Sequence, residues 1–164
     1  MPNGKKNKPT RGSSNDPTRL LEVCQKLNDQ KAEYALAGGW ALNLHGIMRT
    51  TYDIDLLIPK NIRNTEKILE ALSSLTFGIA QELDAAEVTQ KPITIIGDIP
   101  RVDLLTVAGK TKYEEAQSTI LSIKIEGVIV PFIDLENLIK SKQTDRLQDQ
   151  ADVEKLKQLR VQKK

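Results

Sequence analysis

The sequence predicts one domain of mixed α-helix and β-strand, and three observations support this. Short apolar runs bounded by glycine or proline are typical of buried strands, and the clearest cover residues 34–37 and 53–58. Elsewhere apolar residues recur three and four positions apart, as in amphipathic helices. Two further apolar runs flank Glu126-Gly127, as in a β-hairpin.

The first part of the chain is predicted to alternate helix and strand. Residues 1–15 are basic and polar with almost nothing to bury, so we expect a disordered tail. Asp16-Pro17 has the residue types of an N-cap and a first helical position, and this helix should end near residue 30. A strand at 34–37, a turn at Gly38-Gly39, a short helix at 40–45 and a strand at 53–58 follow.

The second part begins with a helix that Asn61 can cap, and its predicted core-facing residues are Ile62, Thr65, Ile68, Leu69 and Leu72. Residues 77–89 have no clear pattern and are left unassigned. Strands are predicted at 93–96 and 102–107, a short helix at 113–117, and a hairpin from 120–125 and 128–133. Two helices then extend from Asp134 to near residue 160, so the domain covers residues 16–160 and a basic tail covers 161–164.

Composition excludes several classes of protein. A chain of 164 residues with 39% hydrophobic and 28% charged residues can bury one core. The single Cys24 excludes an intramolecular disulfide framework, and no apolar run approaches the roughly 20 residues needed to span a bilayer. The basic N-terminal segment lacks the apolar core of a signal peptide. We therefore expect a cytoplasmic protein without a membrane partner.

The net charge of +2 is unevenly distributed. Residues 1–19 carry five basic side chains and one acidic, and residues 155–164 carry five basic and none acidic, which leaves −7 on residues 20–154. Basic ends can hold an RNA backbone, but short lysine-rich ends are more often solvated termini. An acidic body instead suits a cationic small molecule.

The chemistry-bearing residues are a glycine pair and three aspartates. Gly38-Gly39 presents backbone N–H groups at a helix start, a favourable place for a phosphate. Asp53 and Asp55 lie two residues apart, so on a strand their carboxylates point to the same face. Asp103 again places an acid near a strand start. Carboxylates this close favour a hard cation between them, and Mg²⁺ is the best candidate beside a phosphate.

This set predicts attack of a hydroxyl on the α-phosphate of a nucleoside triphosphate. Asp53 and Asp55 would bridge two Mg²⁺ ions, and Asp103 would complete the coordination of the ion on the acceptor side. Asp103 would also help to take the hydroxyl proton. The Gly38 and Gly39 amides would hold the β- and γ-phosphates. Three strand aspartates in this order favour a catalytic role over a structural one, because aspartate is disfavoured in strands.

Several charged residues have two interpretations that the sequence leaves open. Arg49 and Lys142 either bind phosphate or pair with the surplus acids. Arg146, with Asp149 and Asp152, either lies on a solvated helix face or braces the site.

These motifs resemble the nucleotidyltransferase superfamily, which has a polymerase beta-like fold and includes the antibiotic nucleotidyltransferases. The fuller pattern resembles the AbiEii-like and related uncharacterised bacterial nucleotidyltransferases over roughly residues 34–160. It consists of G-G-W-A, L-H-G, R-T-T, D-I-D and the tail D-L-E-N-L-I with Lys142, Arg146, Asp149 and Asp152. The resemblance implies a mixed sheet flanked by helices, and Mg²⁺-dependent transfer of a nucleotide, ATP-derived for example, to a hydroxyl.

The acceptor is left open by the sequence. In AbiEii-like toxins of type IV toxin-antitoxin systems it can be RNA, including tRNA, whereas a small hydroxylated molecule such as an aminoglycoside or lincosamide, or a protein side chain, is an alternative. Two further functions stay open. One is a nucleotide- or RNA-binding module without turnover, and the other is a toxin-antitoxin component whose activity an antitoxin partner controls.

Overall fold

The computed structural model describes residues 15–97 and 99–163, so residues 1–14 of the predicted tail at 1–15, together with Asp98 and Lys164, lie outside the described residues. The α-helices are α1 (Thr18–Asp29), α2 (Gly38–Leu44), α3 (Ile62–Ser73), α4 (Ala85–Gln90), α5 (Tyr113–Ala116), α6 (Leu135–Ser141) and α7 (Leu147–Gln162). The strands are β1 (Ala35–Leu36), β2 (Ile54–Leu57), β3 (Ile93–Ile96), β4 (Val102–Leu105), β5 (Val107–Ala108), β6 (Thr111–Lys112), β7 (Leu121–Ile125) and β8 (Val128–Phe132). Two 3₁₀ helices span Ile79–Glu82 and Gln117–Thr119.

Six strands form one mixed sheet in the order β3-β4-β2-β1-β8-β7. The β2–β4 and β1–β8 pairs are parallel, and the other neighbours are antiparallel. β5 and β6 form a separate two-stranded hairpin. The predicted α+β fold, with a mixed sheet flanked by helices and C-terminal helices, is confirmed.

The sheet has a hydrophobic core on each face, because successive strand residues point to opposite sides. Leu56 packs in a cluster with residues of α1, α3 and α4, whereas the adjacent Leu57 packs in a second cluster with residues of α5, α6 and α7. Asp55 alternates with Leu56 and therefore shares the face of Leu57. The acid is thus directed to the side of the sheet that α6 and α7 cover.

Most predicted elements are present. The Asn61 side chain accepts a hydrogen bond from the Asn64 amide at 2.8 Å, which confirms the cap of α3. β7 and β8 confirm the hairpin, and the unassigned residues 77–89 hold a 3₁₀ helix and α4. In the described part of the chain, none of the helices combines the length and the hydropathy that crossing a bilayer requires.

Three predictions need correction. Gly38 and Gly39 do not form a turn before a helix, because the extended Ala37 acts as the N-cap and α2 begins at Gly38 itself. Ile62 is 50% exposed, since the first residue of α3 has not yet turned towards the core. The predicted strand 102–107 is divided at Thr106, whose amide and hydroxyl donate to the carbonyls of Pro92 and Lys91.

The ends of the C-terminal elements also differ slightly from the predicted ones. α7 continues to Gln162, so two residues of the predicted tail at 161–164 are helical. At the N-terminal side the predicted cap is wrong by one residue, because Pro17 is the N-cap and α1 begins at Thr18; the Asp16 carboxylate still accepts from the Thr18 amide at 2.9 Å.

Candidate active site

The central feature of the site is the parallel pairing of β2 with β4. Its register places Asp55 directly opposite Asp103, and the Ile54 amide donates to the Arg101 carbonyl at 2.9 Å. Neighbouring strands lie about 4.8 Å apart and paired residues point to the same face, so the two carboxylates are adjacent. Asp53 lies one residue before β2, and its charge acts on Asp55 as well.

One cleft of about 500 Å³ brings together all eight residues that the sequence singled out. They are Gly38, Gly39, Arg49, Asp53, Asp55, Asp103, Lys142 and Arg146. The cleft is also lined by Thr50, Thr51, Tyr52, Ile93, Arg101 and Asp149. The structure thus establishes where the eight residues lie, and the role of each in chemistry stays a prediction.

The glycine pair allows the backbone to approach the acids. Gly38 has φ of +59°, and a Cβ at this position would overlap the Asp55 carboxylate. A Cβ on Gly39 would lie 2.7 Å from the Thr51 hydroxyl oxygen. Because the first amides of a helix have no acceptor within it, the start of α2 presents N–H groups beside the aspartates. Only glycine combines this backbone conformation with this contact.

Asp55 is the most perturbed carboxyl of the group. Burial, followed by the negative charges of Asp103 and Asp53 and a hydrogen bond with Asp103, raises the pKa of Asp55 to about 7. Lys142 acts in the opposite direction. At neutral pH the neighbouring carboxylates therefore repel one another in a partly buried place, and a cationic partner would reduce that repulsion.

Arg101 supplies part of that positive charge, although it was not among the residues predicted from the sequence. Its Nε lies 3.0 Å from Asp103 Oδ1, its Nη2 lies 3.2 Å from Oδ2, and its Nε lies 3.8 Å from Asp53 Oδ2. The available signal was the two-residue spacing, which puts Arg101 and Asp103 on the same side of the strand.

A second charge cluster joins the end of α6 to α7 and to the loop after α2. The Lys142 ammonium lies 3.4 Å from Asp149 Oδ1 and 3.3 Å from Asp152 Oδ2, and Arg49 pairs with Asp152. Thr144 also donates to Asp149 at 2.6 Å. Asp149 and Asp152 are only 5% and 1% exposed.

These contacts bear on the interpretations left open by the sequence, and phosphate binding by Arg49 and Lys142 stays a prediction. Arg49 and Lys142 pair with acids, and the solvated-face interpretation of Asp149 and Asp152 is wrong because both are buried. Arg146 differs from them. It is exposed, it lines the cleft, and its side chain makes no ion pair with any described residue. Arg146 is thus the cation of the cleft that is most available to a ligand.

The donor chemistry of the acids fits a hard divalent cation, although the described residues hold no group of three or more His, Cys, Asp or Glu side chains arranged as a metal site. Carboxylate oxygens are the preferred ligands of Mg²⁺. The guanidinium of Arg101 lies close to both Asp103 and Asp53, which shows that this position attracts positive charge. Asp53, Asp55 and Asp103 are the residues that would hold the ion.

A second cavity of about 240 Å³ adjoins the cleft. It shares Gly38, Asp55, Lys142, Arg146 and Asp149 with the cleft, and β5 and the end of α6 complete its wall. Asp55 therefore lines both cavities.

Comparison with protein families adds an independent line of evidence. A family model described as Aminoglycoside-2''-adenylyltransferase matches residues 19–158. The chain belongs to this family. The match includes every residue of the cleft, from Gly38 to Asp149. It agrees with the predicted superfamily, because an adenylyltransferase is a nucleotidyltransferase that takes a nucleotide as substrate. Comparison with curated proteins finds no match. The narrower likeness to AbiEii-like proteins stays a prediction.

The close approach of Gly38 to Asp55 predicts the effect of adding one methyl group. Gly38→Ala should lose stability both from its positive φ and from displacement of Asp55, and should lose nucleotide binding. Gly127→Ala is the matched control, because Gly127 has φ of +82° but no atom lies within 4 Å of the position that a Cβ would take. Gly127→Ala should lower the free energy of unfolding by only about 1–2 kcal/mol, which is the cost of holding a non-glycine residue in the left-handed conformation. Urea unfolding and titration with a fluorescent nucleotide measure both effects, and equal losses in the two variants would contradict the proposed contact.

The raised pKa of Asp55 predicts a pH-dependent gain in stability on removing its charge. The folded state holds the proton up to about pH 7, whereas an unfolded aspartate loses it near its ordinary pKa of 3.8. The folded protein is therefore destabilised progressively as pH rises through this window. Asp55→Asn should melt above the wild type at pH 8 in EDTA and no higher than it at pH 4. Asp145→Asn, at an exposed position, should show no such trend.

The buried position of Asp152 predicts a large stability loss when its charge is removed. Asp152→Asn leaves Arg49 and Lys142 without their shared partner, and breaking a buried pair costs about 3–5 kcal/mol. The exposed Asp145→Asn should change the free energy of unfolding by less than about 0.5 kcal/mol. If urea unfolding gives the same value for both variants, the buried cluster does not stabilise the fold.

Proposed function

We propose that the protein transfers a nucleoside monophosphate from an NTP, ATP in particular, to a hydroxyl group of a small cationic acceptor of the aminoglycoside type, releasing pyrophosphate. The observation that carries this proposal is the register that sets Asp55 beside Asp103, directly next to the glycine that begins α2. The carboxylates on neighbouring strands can bind a metal ion, and the nearby helix amides, which have no acceptor within the helix, can bind the triphosphate that accompanies it. The family match supports nucleotidyl transfer in general.

The charges of the cleft suggest how the two substrates are arranged. Arg146, Lys142 and Arg49 lie on the side of α6 and α7, and the Gly38 and Gly39 amides lie at the start of α2. We assign the triphosphate to this side, because its anionic oxygens need donors and positive charge. Arg146 in particular is exposed and makes no ion pair with another described side chain.

The acceptor would then approach from the side of Asp53 and Asp103. Asp53 has 38% of its side chain exposed and lies at the mouth of the acid group, where it can attract an ammonium-bearing molecule. An anionic RNA backbone would meet unfavourable charge at this position. This arrangement favours a cationic acceptor over RNA, and the name of the family points to the same class.

The chemistry assigned to the chain's own groups is limited. Asp53, Asp55 and Asp103 would hold Mg²⁺, which when bound would neutralise charge on the attacking oxygen and on the triphosphate. We assign to Asp103 the uptake of the proton of the acceptor hydroxyl. The new bond joins the acceptor oxygen to the α-phosphorus, and the bond from the α-phosphorus to the bridging oxygen breaks, so that pyrophosphate leaves. The helix amides and Arg146 hold that leaving group.

A labelling experiment tests the function and the acceptor together. The protein with Mg²⁺ and α-labelled ATP should transfer label to an aminoglycoside that carries a 2''-hydroxyl and not to an analogue that lacks it. Asp103→Asn should reduce transfer on the order of 10³-fold or more, because it removes several kcal/mol of transition-state stabilisation. Asp145→Asn should retain wild-type activity.

The other outcomes separate the parts of the proposal. Label found in total RNA and absent from the antibiotic would overturn the acceptor while supporting nucleotidyl transfer. Full activity in Asp103→Asn would overturn the assignment of the site. Tight ATP binding without transfer to any acceptor would favour the alternative of a nucleotide-binding module.

A further inference from the structure

Arg101 occupies the acid group in a defined, two-pronged geometry. Nε and Nη2 donate to the two oxygens of Asp103 at 3.0 and 3.2 Å, and Nε also lies 3.8 Å from Asp53. A bidentate arginine–carboxylate pair is among the stronger side-chain contacts, because it combines charge with two parallel hydrogen bonds. Both oxygens of one expected metal ligand are therefore already in use.

The pair forms where the chain has surplus negative charge. Asp53, Asp55 and Asp103 lie together, and Asp103 is only 6% exposed. An arginine guanidinium is always charged in proteins, so this cation is permanent. A divalent ion entering this group must therefore compete with a cation that is part of the chain and does not titrate away.

The side chain of Arg101 can move without displacing its own main chain. Its backbone carbonyl is fixed by the Ile54 amide at 2.9 Å, so the main chain stays in the sheet. The side chain itself is 34% exposed and lines the open cleft. A triphosphate in the same cleft would offer the guanidinium phosphate oxygens in exchange for Asp103.

We propose that Arg101 is a built-in counter-ion that the divalent metal and the nucleotide displace together, so that each binds weakly alone and tightly in the presence of the other. Arg101 is thus a positioning residue that acts through Asp103. The inference rests on the proposed nucleotidyl transfer, because it takes Asp53, Asp55 and Asp103 as the metal ligands. Its consequence is that the free protein resists unproductive metal binding.

Mn²⁺ binding, followed by electron paramagnetic resonance, tests the inference without turnover. Kd for Mn²⁺ is measured with and without an ATP analogue whose α–β bridging oxygen is replaced by a methylene group. In the wild type the analogue should tighten Mn²⁺ binding on the order of tenfold, a typical coupling between two sites. Arg101→Gln should bind Mn²⁺ more tightly than the wild type without nucleotide, by a similar factor, and the analogue should add little. Arg101→Lys should lie between them.

Controls separate this inference from the proposed function. Arg63→Gln changes an exposed arginine on α3 and should behave as the wild type. Asp55→Asn should abolish the Mn²⁺ signal, and persistence of the signal would overturn the metal site itself. If the signal depends on Asp55 but Arg101→Gln changes neither the Mn²⁺ Kd nor its coupling to nucleotide, the counter-ion inference is wrong.

Loss of folding is distinguished by melting. Arg101→Gln should melt below the wild type in EDTA and regain more stability than the wild type on addition of Mg²⁺, because the ion replaces the missing positive charge. If Arg101→Gln does not fold, Arg101→Lys decides. A metal affinity in Arg101→Lys equal to that of the wild type overturns the inference, and a tighter one supports it.

Discussion

The architecture of the site depends on one constraint, the parallel pairing of β2 and β4 with Asp55 opposite Asp103. This register puts two carboxylates next to each other on a partly buried face, where like charges destabilise the fold. The surrounding structure reduces that repulsion from several directions. Arg101 pairs with Asp103 from the same strand end, Lys142 lowers the pKa of Asp55 from the side of α6, and Gly38 leaves room for the Asp55 carboxylate.

The C-terminal helices contribute more than a cover for the sheet. Their buried acids, Asp149 and Asp152, hold Lys142 at the cleft and tie Arg49 to α7. Since Arg49 belongs to the loop that leads to Asp53, the same cluster connects α7 to the start of the strand that bears Asp55. Two parts of the chain about a hundred residues apart, at positions 49 and 152, are thereby fixed relative to each other. The cleft keeps its shape through charge pairs as well as through apolar packing.

The sequence predicted the features that depend on local pattern. The alternation of strands and helices, the Asn61 cap, the hairpin and the position of the three aspartates near strand starts all follow from spacing and residue type. The sequence did not predict that Arg101 pairs with Asp103, because several acids are available to Arg101 and only the tertiary structure shows which of them it contacts. The burial of Asp149 and Asp152 was also out of reach, since charged residues on a helix normally face solvent unless distant partners such as Arg49 compensate them.

Local pattern was misleading where a tertiary contact replaced the usual solution. A glycine pair after a strand is typical of a turn, but α2 begins at Gly38 directly after the extended Ala37, so the pair belongs to the first turn of the helix. Likewise, the apolar run at 102–107 continues past Leu105, but Thr106 lies opposite Pro92, which accepts from the Thr106 amide and has no N–H to donate in return, so the ladder ends there.

The charges lining the cleft also have a kinetic consequence. Four acids and four bases face it, namely Asp53, Asp55, Asp103 and Asp149 with Arg49, Arg101, Lys142 and Arg146. A lining whose charges are balanced has a weak field at distances beyond a Debye length, which is about 8 Å at physiological ionic strength. Neither an anionic nucleotide nor a cationic acceptor is then strongly repelled during its diffusional approach. The association rates of both should depend only weakly on salt, and the cleft can admit ligands of opposite sign through the same opening.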